Sequence, residues 1–367
     1  SELKTENKIE IQKNLDVTFI DENNKIYKLK SPKIFYPFNL LFAILNYKAL
    51  LIKDRLKIID FILDIACCFK EDLKNLTVLE WLLLKNQNDE AINNFWEILI
   101  VGTMNSSPDK ASALIFSNVL KEIFFNGNNS SKFILTKNSL SEIFIHPIEK
   151  YLIEKGNNIY KNERVEKIIV EENFIKKIIT NKNNYDSFDY VVFALPPHSI
   201  SKINFYDLNG KNIYPLSQVH SSEFKYSSIL NIHIWMKENI FKEKFYGLLN
   251  SEIHWIFNKG KHISITKSNS DGFINLEKDF ILQEIYSELK NYFPNFSTEN
   301  VLDVKIIKEK RATFIPDVAS NIIRENIKSE FENLIIAGDW TTLEFPATIE
   351  GAIISGKKAS QIIDKLN

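Results

Sequence analysis

The chain has 367 residues, of which 44% are hydrophobic and 25% charged, enough apolar material for a large core and too much for a disordered polypeptide. Lys plus Arg number 46 and Asp plus Glu 47, a formal net charge of −1, so no overall field draws the chain to nucleic acid or anionic lipid. Its only cysteines, Cys67 and Cys68, are adjacent in an apolar helical pattern, which excludes a disulfide framework and a Cys-x-x-Cys site and reads as small core residues in a reducing compartment.

The opening residues Ser1 to Lys8 are polar and mixed in charge, unlike a signal peptide. Val17–Ile20 and Lys25–Leu29 are strand runs about the turn-forming Asp21-Glu-Asn-Asn24. Ile34 to Ile52 carries one charge, Lys48, but is interrupted by Pro37, Asn39 and Asn46. It therefore reads as a buried or membrane-surface helical hairpin with Leu56–Phe69, in preference to a spanning helix.

Residues 34–155 are mostly helical. Thr77-Val-Leu-Glu80 and Ser139-Leu-Ser-Glu142 are capping-box patterns, Ser107-Pro108 predicts a cap and a first-turn proline, and Gly156 predicts a helix end. Trp81, Trp96, Phe116, Phe124 and Phe125 fall at helical spacing and are assigned to the core.

From Asn158 the period changes. Arg164–Val170 and Phe174–Thr180 are strand runs about a Glu-Glu-Asn turn, and Tyr190–Ala194 is a buried strand stopped by Pro196-Pro197. Further strands are expected at 229–235, 253–257, 262–266 and 302–307, with a helix over 274–292. The six histidines (146, 198, 220, 233, 254, 262) show no metal-ligand spacing, and no nucleophile motif such as Gly-x-Ser-x-Gly occurs.

The end of the chain is the most informative stretch. Leu334–Ala337 is a buried-strand run closed by Gly338-Asp339-Trp340, and Ala347–Ile363 carries helical spacing after Pro346. Gly338 permits close backbone approach, Asp339 can accept hydrogen bonds from ribityl-type hydroxyls, and the amides of Ala347, Thr348, Ile349 and Glu350 would point at a ligand facing the helix start. The positive end of that helix favours electron density on the N1/C2-carbonyl edge of a reduced flavin.

This arrangement, G-D-W, a spacer, then P-A-T-I-E-G-A-x-x-S-G-x-x-A-S, resembles the carboxyl-terminal flavin motif of the amine oxidase and phytoene desaturase superfamily. Within it, Leu76–Leu82, Phe95-Trp96, Met104-Asn105, Val191–Pro197, Tyr226–Trp235 and Arg311-Ala-Thr-Phe314 are similar to hydroxysqualene dehydroxylases, also called squalene-associated FAD-dependent desaturases. The resemblance implies an α/β fold in which an FAD-binding, Rossmann-type domain is interleaved with a substrate domain of mixed sheet and helical cap. The expected division is 139–200 with 326–367 for FAD, and 1–138 with 201–325 for substrate.

By the same resemblance the cofactor is FAD, Val165 meets the adenine through its backbone, and Gly338, Asp339, Trp340 and Ala347–Glu350 hold the flavin half. The implied activity is reductive dehydroxylation of hydroxysqualene to squalene, with a flavin amine oxidase or carotenoid desaturase as alternatives. A lipophilic isoprenoid is the implied substrate, and the implied location is cytoplasmic, peripheral to the inner face of the membrane. No catalytic acid is identified, Arg311 and Glu344 being guesses outweighed by surface or packing roles, and no metal is expected.

One part of the family pattern is missing: no strand, Gly-x-Gly-x-x-Gly loop and helix occurs in the sequence. That loop sets the pyrophosphate on a helix N-terminus, so its absence predicts an incomplete FAD cradle. Three readings follow: an FAD oxidoreductase seen through a truncated chain, one subunit of a split enzyme with an amino-terminal partner polypeptide, or a non-catalytic relic that binds lipid or a partner.

Overall fold

The computed structural model describes residues 3–66, 70–216 and 223–366. Cys67, Cys68 and His220 lie outside them.

The largest sheet has seven strands, in the order Val301–Phe314, Tyr226–Met236, His262–Lys267, Trp255–Asn258, Phe245–Leu248, Asp16–Ile20, Ile26–Lys30. Its pairings are antiparallel except Phe245–Leu248 with Asp16–Ile20. Along Tyr226–Met236 the side chains alternate: Leu230, Ile232, Ile234 and Met236 are buried. They pack with Ile281, Ile285 and Leu289 of the helix Lys278–Tyr292, which recur at helical spacing.

Helices Phe38–Leu45, Ile52–Ile65, Val78–Leu84, Glu97–Met104 and Ala113–Phe125 share a core with the Asp16–Ile20 and Phe245–Leu248 strands. Its centre is aromatic, with Phe61 edge-on to Trp81 at 4.6 Å and to Trp96 at 5.1 Å. The Trp96 indole donates to Gln87 Oε1 at 3.0 Å, so the ring is buried with its polar atom satisfied. Of the aromatic residues assigned to the core, Phe125 departs, being 40% exposed at the end of its helix.

A second group of strands lies apart. Val165–Glu171 and Phe174–Thr180 form a hairpin within a five-stranded sheet, its turn at Glu172 and Asn173, both with positive φ. Leu334–Ala337 pairs in parallel with Val191–Ala194, Leu334 opposite Val191 and Ala337 opposite Ala194. The buried Asn333 amide ties the two units together: it accepts from the Ile175 amide at 2.8 Å and donates to the Ile175 carbonyl at 3.0 Å.

Several boundaries move. The Thr77–Glu80 capping box forms in both directions, but among the described residues Ser107 caps no helix; the next helix starts at Ala113, where the Ser112 hydroxyl accepts from the Ile115 amide. Residues around Ser107 instead form a turn, and the Pro108 carbonyl accepts from Leu79. Pro196 and Pro197 do stop the strand, then open a short helix with proline in its first turn. Lys310–Phe314 continues the last strand of the large sheet, which runs unbroken from Val301.

Candidate cofactor and substrate site

Gly338 ends its strand with φ +145°, and a Cβ there would lie 2.5 Å from Trp340 Nε1. Only glycine allows the chain to reverse so closely over the indole. Trp340 is fully buried and donates to the Leu195 carbonyl at 2.9 Å. Its ring therefore packs beneath the strand end, anchored to Leu195. The Gly338 amide donates to Ser355 Oγ at 2.8 Å, which fixes the strand end to the terminal helix.

Asp339 follows this turn. Burial pushes its carboxyl above the ordinary value, while the Arg324 guanidinium and the Asp339 and Trp340 amides pull the other way. Arg324 is 3% exposed, donates through Nη2 to the Phe345 carbonyl at 2.7 Å, and stacks over the Phe314 ring at 4.9 Å. Its Nε and Nη1 are buried without a partner, and burial lowers its pKa to about 10 against the opposing charge of Asp339. A buried cation thus lies within electrostatic reach of Asp339 and grips the loop leading into the terminal helix.

That helix runs Ile349–Leu366, two residues later than its expected start. Thr348 is its cap: its hydroxyl accepts from the Gly351 amide at 3.1 Å and its carbonyl from Ala352 at 3.0 Å. The Ile349 and Glu350 amides lie in the exposed first turn, whereas Ala347 packs into the core around Trp340. Of the expected residues, the structure gathers Gly338, Asp339, Thr348, Ile349 and Glu350 around one strand–loop–helix. Val165 begins its strand in the neighbouring sheet, half-buried against the same core.

Beside the helix start opens a cavity of about 760 Å³, within the usual range of roughly 300–1,000 Å³ for small-molecule sites. Phe345, Pro346, Thr348 and Glu350 line one part of it; elsewhere it is walled by residues such as Phe19, Leu40, Phe95, Leu99, Phe124 and Trp255. Helix Phe38–Leu45 turns Leu40, Ala43 and Ile44 to the cavity and leaves Phe38 and Phe42 half-exposed outside.

Neither guess at a proton donor lies in this cavity. Glu344 pairs with Lys358 at 2.8 Å, and Arg311 lies over the Tyr226 ring at 5.9 Å. Arg324 and Ser355 carry no local sequence signal, because their importance comes from Asp339, Phe345 and Gly338, which only the fold brings to them. Among the described residues no group of three or more metal-ligating side chains is gathered.

The loop geometry fits one half of a flavin dinucleotide: a carboxylate beside a tight glycine turn, a helix N-terminus, and an adjoining apolar chamber. The profile of flavin containing amine oxidoreductases matches residues 3–364. The chain belongs to that family, a family of oxidoreductases whose cofactor is FAD.

More particular similarity is to hydroxysqualene dehydroxylases. That of Sinorhizobium fredii is 23% identical over 72% of this chain and 60% of its own length; that of Zymomonas mobilis is 24% identical over 71% and 60%. The 15-cis-phytoene desaturase of Glycine max is 23% identical over 80% of this chain and 54% of its own. The chain thus spans less than two thirds of these relatives. Putrescine oxidase bound to putrescine has the same fold, with TM-score 0.68 and 13% identity over 97% of this chain and 83% of that one. Cyclohexylamine oxidase from Brevibacterium oxydans gives 0.65 and 13% over 100% and 84%.

Proposed function

We propose that the protein is an FAD-dependent oxidoreductase acting on a long isoprenoid, and that its reaction is the reductive dehydroxylation of hydroxysqualene to squalene. The observation that carries this reading is the apolar cavity of about 760 Å³ ending at Phe345, Pro346, Thr348 and Glu350. A flexible hydrocarbon can bury its surface there at about 25 cal/mol per Å² while one segment lies against the helix start.

Bound FAD would supply hydride chemistry. Asp339 would accept from the ribityl chain, the Ile349 and Glu350 amides would face the flavin's pyrimidine edge, and the Val165 backbone would meet the adenine. Arg324 holds the loop between them, and the cavity wall excludes water. Residues 139–200 with 326–367 would form the cofactor unit, and 1–138 with 201–325 the substrate unit.

Among the described residues Leu334–Ala337 pairs with Val191–Ala194 alone, and Val192, Ile349 and Ile353 are 42%, 53% and 61% exposed. An open parallel edge beside exposed apolar residues supports completion of the site by a further βαβ segment, on the same polypeptide or a separate one. No helix among the described residues is long and apolar enough to cross a membrane. Exposed Phe35, Phe38, Phe42, Leu51 and Ile52 support contact with a bilayer surface, where such a substrate dissolves.

The test is incubation of the completed enzyme with hydroxysqualene and a reductant. Squalene is the expected product. Turnover of an amine, or desaturation of a carotenoid, with no squalene formed would overturn the reading in favour of those activities; no flavin turnover at all would favour a relic.

A further inference from the structure

We infer that the indole N–H of Trp255 is the hydrogen-bond donor that holds the oxygen of an oxygenated isoprenoid in the cavity, so that the cavity distinguishes an alcohol from its parent hydrocarbon. The inference rests on the isoprenoid reading above and adds to it the contact that selects the substrate.

Trp255 opens the strand Trp255–Asn258, and with Phe257, two residues on, it lines the cavity. Its ring is set among Phe19, Phe133 and Phe245, at 6.2, 5.9 and 6.2 Å between centroids. The nitrogen edge lies close to Gly102 of the helix Glu97–Met104: a Cβ there would lie 3.2 Å from Trp255 Nε1, so any larger residue would crowd the nitrogen that the glycine leaves uncovered.

Among the described residues this N–H donates to no hydrogen-bond partner, and Trp255, partly rather than fully buried, lines the cavity, so an oxygen there can reach it. Trp96 and Trp340 of this same chain each have a partner. Most other donors in the cavity are already committed. Thr103 donates to the Leu99 carbonyl at 2.8 Å, Thr266 to Asn231 Oδ1 at 3.0 Å and Thr348 to the Pro346 carbonyl at 3.3 Å.

Ionised Glu122 and Glu350 can only accept. The hydroxyls of Ser131 and Ser268 and the remaining N–H bonds of Lys132, whose ammonium donates once to Asn129 Oδ1 at 2.9 Å, remain as rivals, and unlike the indole they can rotate away. A hydrocarbon filling the chamber would leave the N–H dry and unpaired, whereas an alcohol oxygen would satisfy it. A polar site of this kind selects by what it leaves unpaired.

The experiment compares equilibrium binding of tritiated hydroxysqualene and tritiated squalene, in identical detergent micelles, to the full-length flavoprotein and its variants. The wild type should prefer the alcohol. Trp255→Phe keeps the ring and removes the donor, so it should shrink that preference about fivefold, the worth of one neutral hydrogen bond. Ser131→Ala and Ser268→Ala should keep the preference. Should Trp255→Phe fail to fold, Gly102→Ala, whose Cβ would lie 3.2 Å from the nitrogen and crowd it, should produce the same selective loss.

An unchanged preference in Trp255→Phe, an equal loss for both ligands, or a loss confined to a serine variant would overturn the inference while leaving the isoprenoid reading in place. Failure of the wild type to bind either ligand would overturn both.

Discussion

Asp339 sits where burial disfavours its charge and Arg324 favours it, burial being the larger influence. A ribityl hydroxyl donates more strongly to the ionised carboxylate than to the neutral acid, so binding FAD should favour the ionised form and release a proton where Asp339 is protonated, burial having raised its pKa above the ordinary value. The sign follows: FAD affinity should fall as pH drops through the raised pKa and level off above it. Flavin fluorescence titrations across that range should show this slope in the completed enzyme, and Asp339→Asn should flatten it. A slope that survives in Asp339→Asn would assign the proton to another group. The neighbouring Gly338→Ala should be costly for a different reason, since it combines a φ of +145° with a Cβ 2.5 Å from Trp340 Nε1. A loss of about 2 kcal/mol or more in urea unfolding is expected, with a shift in tryptophan emission as the Trp340–Leu195 bond is displaced.

Among the helices, the caps give a direct comparison. Ser107 precedes a proline in the pattern of a helix start, yet Ser112 performs that function; its hydroxyl also accepts from Asn321 Nδ2 at 2.6 Å, tying the helix Ala113–Phe125 to Val318–Glu325. Ser112→Ala should therefore destabilise by about 1–2 kcal/mol, whereas Ser107→Ala should change the urea midpoint little. Equal effects would mean that the helix starts where the local pattern suggests. The terminal helix repeats the lesson: Pro346 marks its approach, but Thr348 caps it and thereby decides that Ile349 and Glu350 carry the leading amides.

Across the whole molecule, His254 couples the large sheet to acid stability. It lies between two strands of that sheet, with Nδ1 buried and unpartnered, and burial with help from Lys267 lowers its pKa from 6.5 to about 4, opposed by Glu252. The unfolded chain then binds the proton more readily than the folded one. Stability should be complete above pH 6.5 and should fall as pH drops toward 4, by at most about 3 kcal/mol from this group. Urea midpoints measured over that window should show the loss, and His254→Gln should reduce the slope. The same slope with and without the imidazole would exclude His254 as its source.

Much of the fold is legible in short stretches because it is set within a turn of helix or a few residues of strand. The Thr77–Glu80 box, the Glu172-Asn173 turn, the alternation along Tyr226–Met236 and the Gly338-Asp339 strand end all depend on neighbours in sequence, and with them the family resemblance. Tertiary structure alone decided that Trp340 is buried against Leu195, that Arg324 comes within electrostatic reach of Asp339, and that helices from the first third of the chain meet Trp255 and Phe345 about one apolar chamber. Burial and cavities belong to no local pattern. They arise where elements distant in sequence pack, so the residues that shape the substrate's surroundings carry no signal until the chain has closed around them.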